Sequence, residues 1–474
     1  MTAGAAAGSL YRASPLERVL SVRVPVLWES AFYAVVFASA FGLRFWDLGT
    51  RALHHDESIH AQWSWNLLDY NHSPVFHGPF YYHVQGAVFF LFGSSDYTSR
   101  ISPALFGLGI VVLPLLLRRR LGVVGTAATV CFLAFSPTLV YYSRFMREDI
   151  FMAFFVLLMA VSMWRYIEEG RERWLVFFAL GFTGAMSSKE GAFLVVAAFL
   201  VFLDVYVAAQ LARQTLAVRD LNTTPRRFVL TGALTPWAWA VAGLWPFLGN
   251  IRRRMDWDED LPRPADVLIL LMTFTFVLLT PVARPYFLEP LGILEEDRLN
   301  WQQNLQGRIP TDDAMALAGI FAMTISIAAF VGLQWRARLW AILFAGCGFI
   351  YLTLMTSFWT NMDGLVSGPW GSLDYWLTQQ DEFRGDQPWF YYYLLMPAYE
   401  FLPLIICIGG AWWSMVRGDA FSRFLWVWLI GTWAGLSWGS EKMPWLNTHL
   451  ALPACLLAGW TVARTWRAWR DRPG

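Results

Sequence analysis

Twelve apolar runs of about 20 residues recur along this 474-residue chain, at roughly 29–47, 99–117, 121–141, 149–167, 174–188, 190–208, 265–283, 314–334, 338–357, 395–416, 421–437 and 446–464. In hydrocarbon every backbone N–H and C=O must be paired within the segment, so a run of this length reads as a transmembrane helix. The chain is 57% hydrophobic and only 15% charged, a balance that a soluble domain does not carry. We expect an all-α polytopic membrane protein with about twelve spans. The range is eleven to thirteen because residues 228–249 are apolar enough to cross but have arginines on both flanks, Arg226 and Arg227 before and Arg252 to Arg254 after. An interfacial or re-entrant segment keeps both clusters on one side.

The connections alternate in character. One set is short and basic: Arg118 to Arg120, Arg171 to Arg173, Arg336 to Arg338, and the tail from Arg464 to Arg472. The other is longer, aromatic and mixed in charge. The basic set is expected in the cytoplasm, which puts both termini inside and the loop 48–98 outside. Residues 1–28 hold no apolar core ending in a cleavage site, so the first run should remain as an anchor. The expected layout is a cytoplasmic segment 1–28, one membrane domain 29–464 with a cytoplasmic loop 209–264, and a cytoplasmic tail 465–474. Pro74, Pro79 and Phe80-Tyr81-Tyr82 suggest interfacial helices within the loop 48–98. A net charge of +1 gives no hint of nucleic-acid binding. The four cysteines sit far apart in apolar runs, as core thiols would.

Ionisable residues beside membrane spans are costly and mark candidate sites. Six of the seven histidines fall between His54 and His83, starting with His54-His55-Asp56-Glu57-Ser58-Ile59-His60. The string superficially resembles the H-E-x-x-H zinc motif. However, His55 and His60 are five residues apart, about 140° around a helix, where that motif needs i and i+4. Attention moves to the acids. A carboxylate near low-dielectric surroundings can serve as a general base, and Asp56 and Glu57 are the candidates. The plainer reading of the pair is a helix cap on a solvated loop.

Three further groups fall on the same expected side. Tyr141 to Asp149 carries Arg144, Arg147, Glu148 and Asp149; its plain reading is a turn whose acids face the next helix dipole. Ser187-Ser188-Lys189-Glu190 holds one of the two lysines, where the membrane charge rule disfavours one. Ser440-Glu441-Lys442-Met443-Pro444-Trp445 holds the other, followed by Asn447 and the seventh histidine, His449. A lysine point charge there suits a phosphate at the bilayer surface. A divalent cation held by Asp56, Glu57, Glu148 and Asp149 stays open, and no other cofactor is indicated.

In order and wording these motifs resemble the C superfamily (GT-C) of membrane glycosyltransferases, which includes the protein O-mannosyltransferases and the lipid A aminoarabinose transferases. The resemblance rests on Asp56-Glu57 after the first span, Gly78-Pro79, Leu91-Phe92-Gly93-Ser94-Ser95-Asp96, Arg100, the YYSRFMREDIFM segment, Lys442-Met443-Pro444 and Leu452-Pro453. The strings HHDES, HGP, SRFMRED, SSKE and EKMPWL look much like those of a prokaryotic branch labelled flippase activity-associated. The likeness covers about residues 30–460. The histidine density and the Arg147-Glu148-Asp149 grouping depart from the mannosyltransferases, so donor and acceptor are not carried over.

The resemblance implies transfer of a sugar from a polyprenyl-phosphate-linked donor to an acceptor glycan, lipid or protein on the external face, with inversion. It casts Asp56 as base, with Glu57 beside it sharing a proton or binding the acceptor. Arg147 and Lys442, with Lys189, would hold the departing phosphate. Glu148 and Asp149 would orient Arg147, and His54, His55, Glu190 and His449 would contact or orient substrate. The rivals are a lipid-linked sugar flippase or transporter, and a non-catalytic partner in glycan assembly. A flippase predicts ionisable residues along several spans, whereas here the runs are nearly free of them.

Overall fold

A computed structural model describes residues 24–68, 78–217, 261–283, 311–362, 364–378, 380 and 387–471. Residues 228–249, His72, His77 and most of the loop 284–313 lie outside them. The described residues are helical with no strand.

The first apolar run is α1 (Val24–Phe45), and the loop after it holds α2 (His55–Leu68) and α3 (Pro79–Phe92). Next come α4 (Ile101–Val112), α5 (Arg118–Phe135), the short α6 (Pro137–Tyr142), α7 (Asp149–Glu169), α8 (Arg173–Met186) and α9 (Ala192–Ala217). The second half contains α10 (Arg263–Leu278), α11 (Thr311–Met355), α12 (Gly364–Thr378), α13 (Tyr391–Tyr399), α14 (Phe401–Val416), α15 (Ala420–Trp438) and α16 (Thr448–Arg470).

Each of the twelve expected apolar runs coincides with helix, but the breaks between them are of three kinds. The runs 99–117 and 121–141 fall largely in one helical stretch, Thr98–Phe135, broken where Gly122 takes a φ of 73°. The runs 314–334 and 338–357 are the two arms of α11, broken at Arg336 (φ −143°, ψ 84°). The run 395–416 is bent by 106° between α13 and α14, at Glu400. By length and composition, five of the described helices are able to cross a membrane alone, or six if the bent pair counts as one span. The chain is a multi-pass membrane protein.

The core is centred on α16, which packs against α5, α14 and α15. In the apolar stretch of α16, 94% of residues are buried, against 22% in α11, which therefore forms a lipid-facing flank. Close crossing of α16 and α5 needs glycine at Gly459, because a Cβ there would meet Thr129 Oγ1 at 1.9 Å and the Gly125 carbonyl at 2.9 Å. Small residues at a crossing are how membrane helices gain packing when lipid removes the hydrophobic drive.

The 21 residues of α7 separate two polar ends by about 30 Å. At its C-terminus, Glu169 is ringed by Arg119, Arg165, Arg171 and Arg173, and Glu168 bonds Arg120 at 2.5 Å. At its N-terminus stands the cleft described next.

Candidate active site

One face of α2 builds one wall of a cleft. Asp56, Ile59, His60 and Trp63 follow the i, i+3, i+4, i+7 pattern of a helix stripe, and all four line a cavity of about 380 Å³. The remaining lining comes from Arg147, Lys189, Glu190, Trp376, Glu441 and Trp445, among others. Thus α2, the loop before α7, the α8–α9 turn, α12 and the segment before α16 converge on one space.

Arg147 is its centre. Its Nη1 donates to Asp56 Oδ2 at 2.7 Å and its Nε to Asp149 Oδ2 at 3.5 Å. Its guanidinium lies 3.7 Å from the centroid of the Trp445 ring, a cation–π stack. Burial opposes the Arg147 charge, but Glu148, Asp149, Asp56 and Glu441 more than offset this and raise its pKa. Asp149 in turn accepts from Lys189 Nζ at 2.9 and 3.0 Å and lies 3.2 Å from His449 Nε2. A continuous chain of polar contacts therefore runs from Asp56 through Arg147 and Asp149 to Lys189 and His449.

Glu57 points elsewhere. One residue on a helix is a rotation of 100°, which takes it off the cleft stripe and into the protein, where it is 0% exposed. Its oxygens accept from Arg100 Nε (2.8 Å) and Nη2 (2.7 Å), from Arg51 Nη2 (3.0 Å), and from the backbone N–H groups of His54 (2.9 Å) and Met146 (3.0 Å). Burial pushes its pKa up, but the Arg100 and backbone hydrogen bonds outweigh this and hold it below its ordinary value. Five donors leave no room for a substrate hydroxyl.

Glu148 is also fully buried, and its nearer partners are not Arg147. Tyr82 O–H donates to its Oε1 at 3.3 Å, His60 Nδ1 lies 3.3 Å from the same oxygen, and the closest Arg147 approach is 3.9 Å. The Gly78-Pro79 pair explains how α3 reaches this point. Gly78 has a φ of 71°, and a Cβ on it would meet Glu148 Cγ at 2.5 Å and the Ser188 carbonyl at 3.0 Å. The next N–H, of Phe80, donates to the Ser187 carbonyl at 2.9 Å. A glycine is needed both for the dihedral and for the close approach.

The other sequence candidates spread around the rim. Lys442 is buried at 5% exposure with its Nζ 2.6 Å from the Gly439 carbonyl, and burial lowers its pKa. Its neighbours Glu441 and Met443 line the cleft. Glu190 lines it too, while His54 and His55 are exposed at the start of α2. A divalent ion on Asp56, Glu57, Glu148 and Asp149 meets an occupied donor set. Arg147 sits on Asp56, Arg100 and Arg51 on Glu57, and Lys189 on Asp149, and no metal-binding group of three or more His, Cys, Asp or Glu occurs among the described residues. These residues as arranged do not fit a metal ion.

Sequence reasoning passed over His60, Trp63, Trp376 and the Trp445 stack. The periodicity of α2 held the signal for the first two. It also passed over Glu400, a buried acid at the α13–α14 bend whose Oε1 accepts from Ser136 Oγ (2.5 Å) and Thr138 N (3.1 Å) at the head of α6.

Residues 76–239 match the family of dolichyl-phosphate-mannose-protein mannosyltransferases. That segment holds Gly78, Arg147, Asp149 and Lys189; Asp56, Lys442 and His449 lie outside it. No curated protein matches the chain. Among solved structures, the oligosaccharyltransferase of Archaeoglobus fulgidus in the apo form aligns with 94% of this chain and 52% of its own, at 12% identity and a TM-score of 0.52. The same enzyme tethered to an acceptor peptide aligns at 11% identity and a TM-score of 0.50, over 93% and 50%. ArnT from Cupriavidus metallidurans bound to undecaprenyl phosphate aligns over 92% and 78% at 19% identity, with a TM-score of 0.34. The chain spans about half the length of the oligosaccharyltransferase it matches.

Proposed function

We propose that this chain, which has the fold of the GT-C membrane glycosyltransferases, transfers a sugar from a polyprenyl-phosphate-linked donor to an acceptor hydroxyl at the cleft. The observation that carries the reading is the chain of contacts Asp56–Arg147–Asp149–Lys189 and His449 along one cleft, where a base stands 2.7 Å from a cation suited to phosphate.

In this reaction Asp56 takes the proton of the acceptor hydroxyl. The freed oxygen attacks the anomeric carbon from the face opposite the phosphate, and the bond to the phosphate oxygen breaks with its electron pair, so configuration inverts. Arg147 exchanges part of its bond to Asp56 for the lipid phosphate as negative charge grows there, which stabilises the transition state and frees the carboxylate. Asp149 and Trp445 keep the guanidinium aimed during that exchange. Lys189 and His449 hold Asp149 in place, and Lys442, on a flexible stem, swings from the Gly439 carbonyl to the same phosphate. Glu57 braces α2 so that Asp56 stays on the cleft face. The arginine-rich end lies in the cytoplasm and the cleft faces outward.

The test is Asp56→Asn in purified protein, incubated with a panel of polyprenyl-phosphate sugars and candidate acceptors. Loss of a general base lowers transfer by about 10²–10⁴-fold. A wild type that binds donor and moves it across vesicles without ever transferring sugar is a flippase, and that result would end the proposal.

A further inference from the structure

His60 stands one helical turn beyond Asp56, on the same cleft wall. A separation of four residues is a rise of about 6 Å along the helix. The imidazole is fixed from behind. Tyr82 O–H donates to Glu148 Oε1 at 3.3 Å, and His60 Nδ1 lies 2.8 Å from the Tyr82 oxygen. Glu148 (0% exposed), Tyr82 (0%) and His60 (6%) together form a buried run of contacts that holds the imidazole in place on the cleft wall. One further turn along the same stripe, Trp63 is 37% exposed and lines the same cavity.

We propose that His60 is a specificity-determining residue, and that Asp56, His60 and Trp63 together grip one sugar ring. Asp56 accepts from one ring hydroxyl, His60 hydrogen-bonds a second about a helical turn away, and Trp63 covers the ring. Glu148 and Tyr82 are positioning residues that act through His60. The inference rests on the sugar-transfer reading of the cleft, and the ligand chemistry is a polyhydroxylated ring, supplied either by the acceptor or by the donor.

The experiment uses the full-length protein in lipid nanodiscs and measures binding. One ligand series is methyl mannoside with its singly deoxygenated analogues, and the other is polyprenyl-phosphate mannose with the same deletions. In one series, the wild type should lose about tenfold or more in affinity for one analogue, the worth of a buried hydrogen bond whose partner is stranded. His60→Ala should bind the parent sugar and that analogue equally, and Tyr82→Phe, which keeps the ring and loses the hydroxyl that holds the imidazole, should discriminate less than wild type. The series that shows the effect names the source of the ring. If His60→Ala keeps the full discrimination, or if the wild type binds no member of either series, the proposal is wrong. Binding that depends on His60 without any transfer removes the transferase reading alone.

Discussion

The two ends of α7 carry ionic clusters of similar size and opposite design. At the Glu169 end, Arg119, Arg171 and Arg173 have side chains 65%, 65% and 54% exposed, set out in water around one acid. At the Asp149 end, the side chains of Arg147, Lys189 and His449 are 10%, 6% and 4% exposed. Exposed pairs are worth little, and water can replace any one partner. Buried pairs are costly to assemble and worse to break, since the survivor is stranded in a low dielectric. Single partners at the first end can therefore be exchanged at little cost, whereas charge at the second persists because each group has a fixed partner and a cleft to face.

That contrast can be broken in graded steps. The largest effect is expected from Glu57→Gln at the cleft end, which leaves Arg100 buried without its anion and should cost about 3–5 kcal/mol, read as a fall in Tm. A smaller penalty, about 1–3 kcal/mol, is expected for Gly78→Ala, where a left-handed φ of 71° and contact with Glu148 combine. Its transfer rate should fall as well, because α3 is displaced from the Glu148 and Ser188 backing. Acidification sharpens the comparison. The folded-state pKa of Glu57 is depressed, so its stabilising effect is complete above the unfolded value of about 4.3 and is lost as pH falls through the folded value. The Tm gap between wild type and Glu57→Gln should stay flat from pH 8 to about 5 and narrow below about 4. The smallest effect belongs to the other end, where Arg119→Ala should change stability by less than about 1 kcal/mol. A Tm loss at Arg119 as large as that at Glu57 would erase the distinction between the two ends.

Much of the fold was legible because the membrane simplifies it: apolar length alone located every one of the twelve runs on helix. The basic turns at Arg118 to Arg120 and at Arg336 even mark the breaks within continuous helical stretches. Site legibility was uneven. Asp56, Arg147, Asp149, Lys189 and His449 stood out as rare charges and the structure brings them together. Glu57 was grouped with Asp56 because they are adjacent, although 100° per residue sends them to different environments. Glu148 was linked to Arg147, which it approaches to 3.9 Å, but it also faces His60 and Tyr82, a pairing 66 residues long in the case of Tyr82 that no local pattern announces. Glu400 was hidden inside an apolar run, and only the 106° bend reveals why an acid sits there.

The α2 stripe also bears on how such a protein can vary. Asp56, Ile59, His60 and Trp63 share the cavity only because the helix turns by a fixed increment between them. Exchanging one of these side chains alters a single contact. Inserting or deleting one residue between Glu57 and His60 would swing the residues beyond it by 100° relative to Asp56, breaking up the wall and pulling Ile59, His60 and Trp63 from their places. Side chains along α2 can therefore be exchanged singly, while the length of the segment from Asp56 to Trp63 is fixed by the helix turn. A screen of single-codon deletions should find that window intolerant even at positions where substitution is harmless.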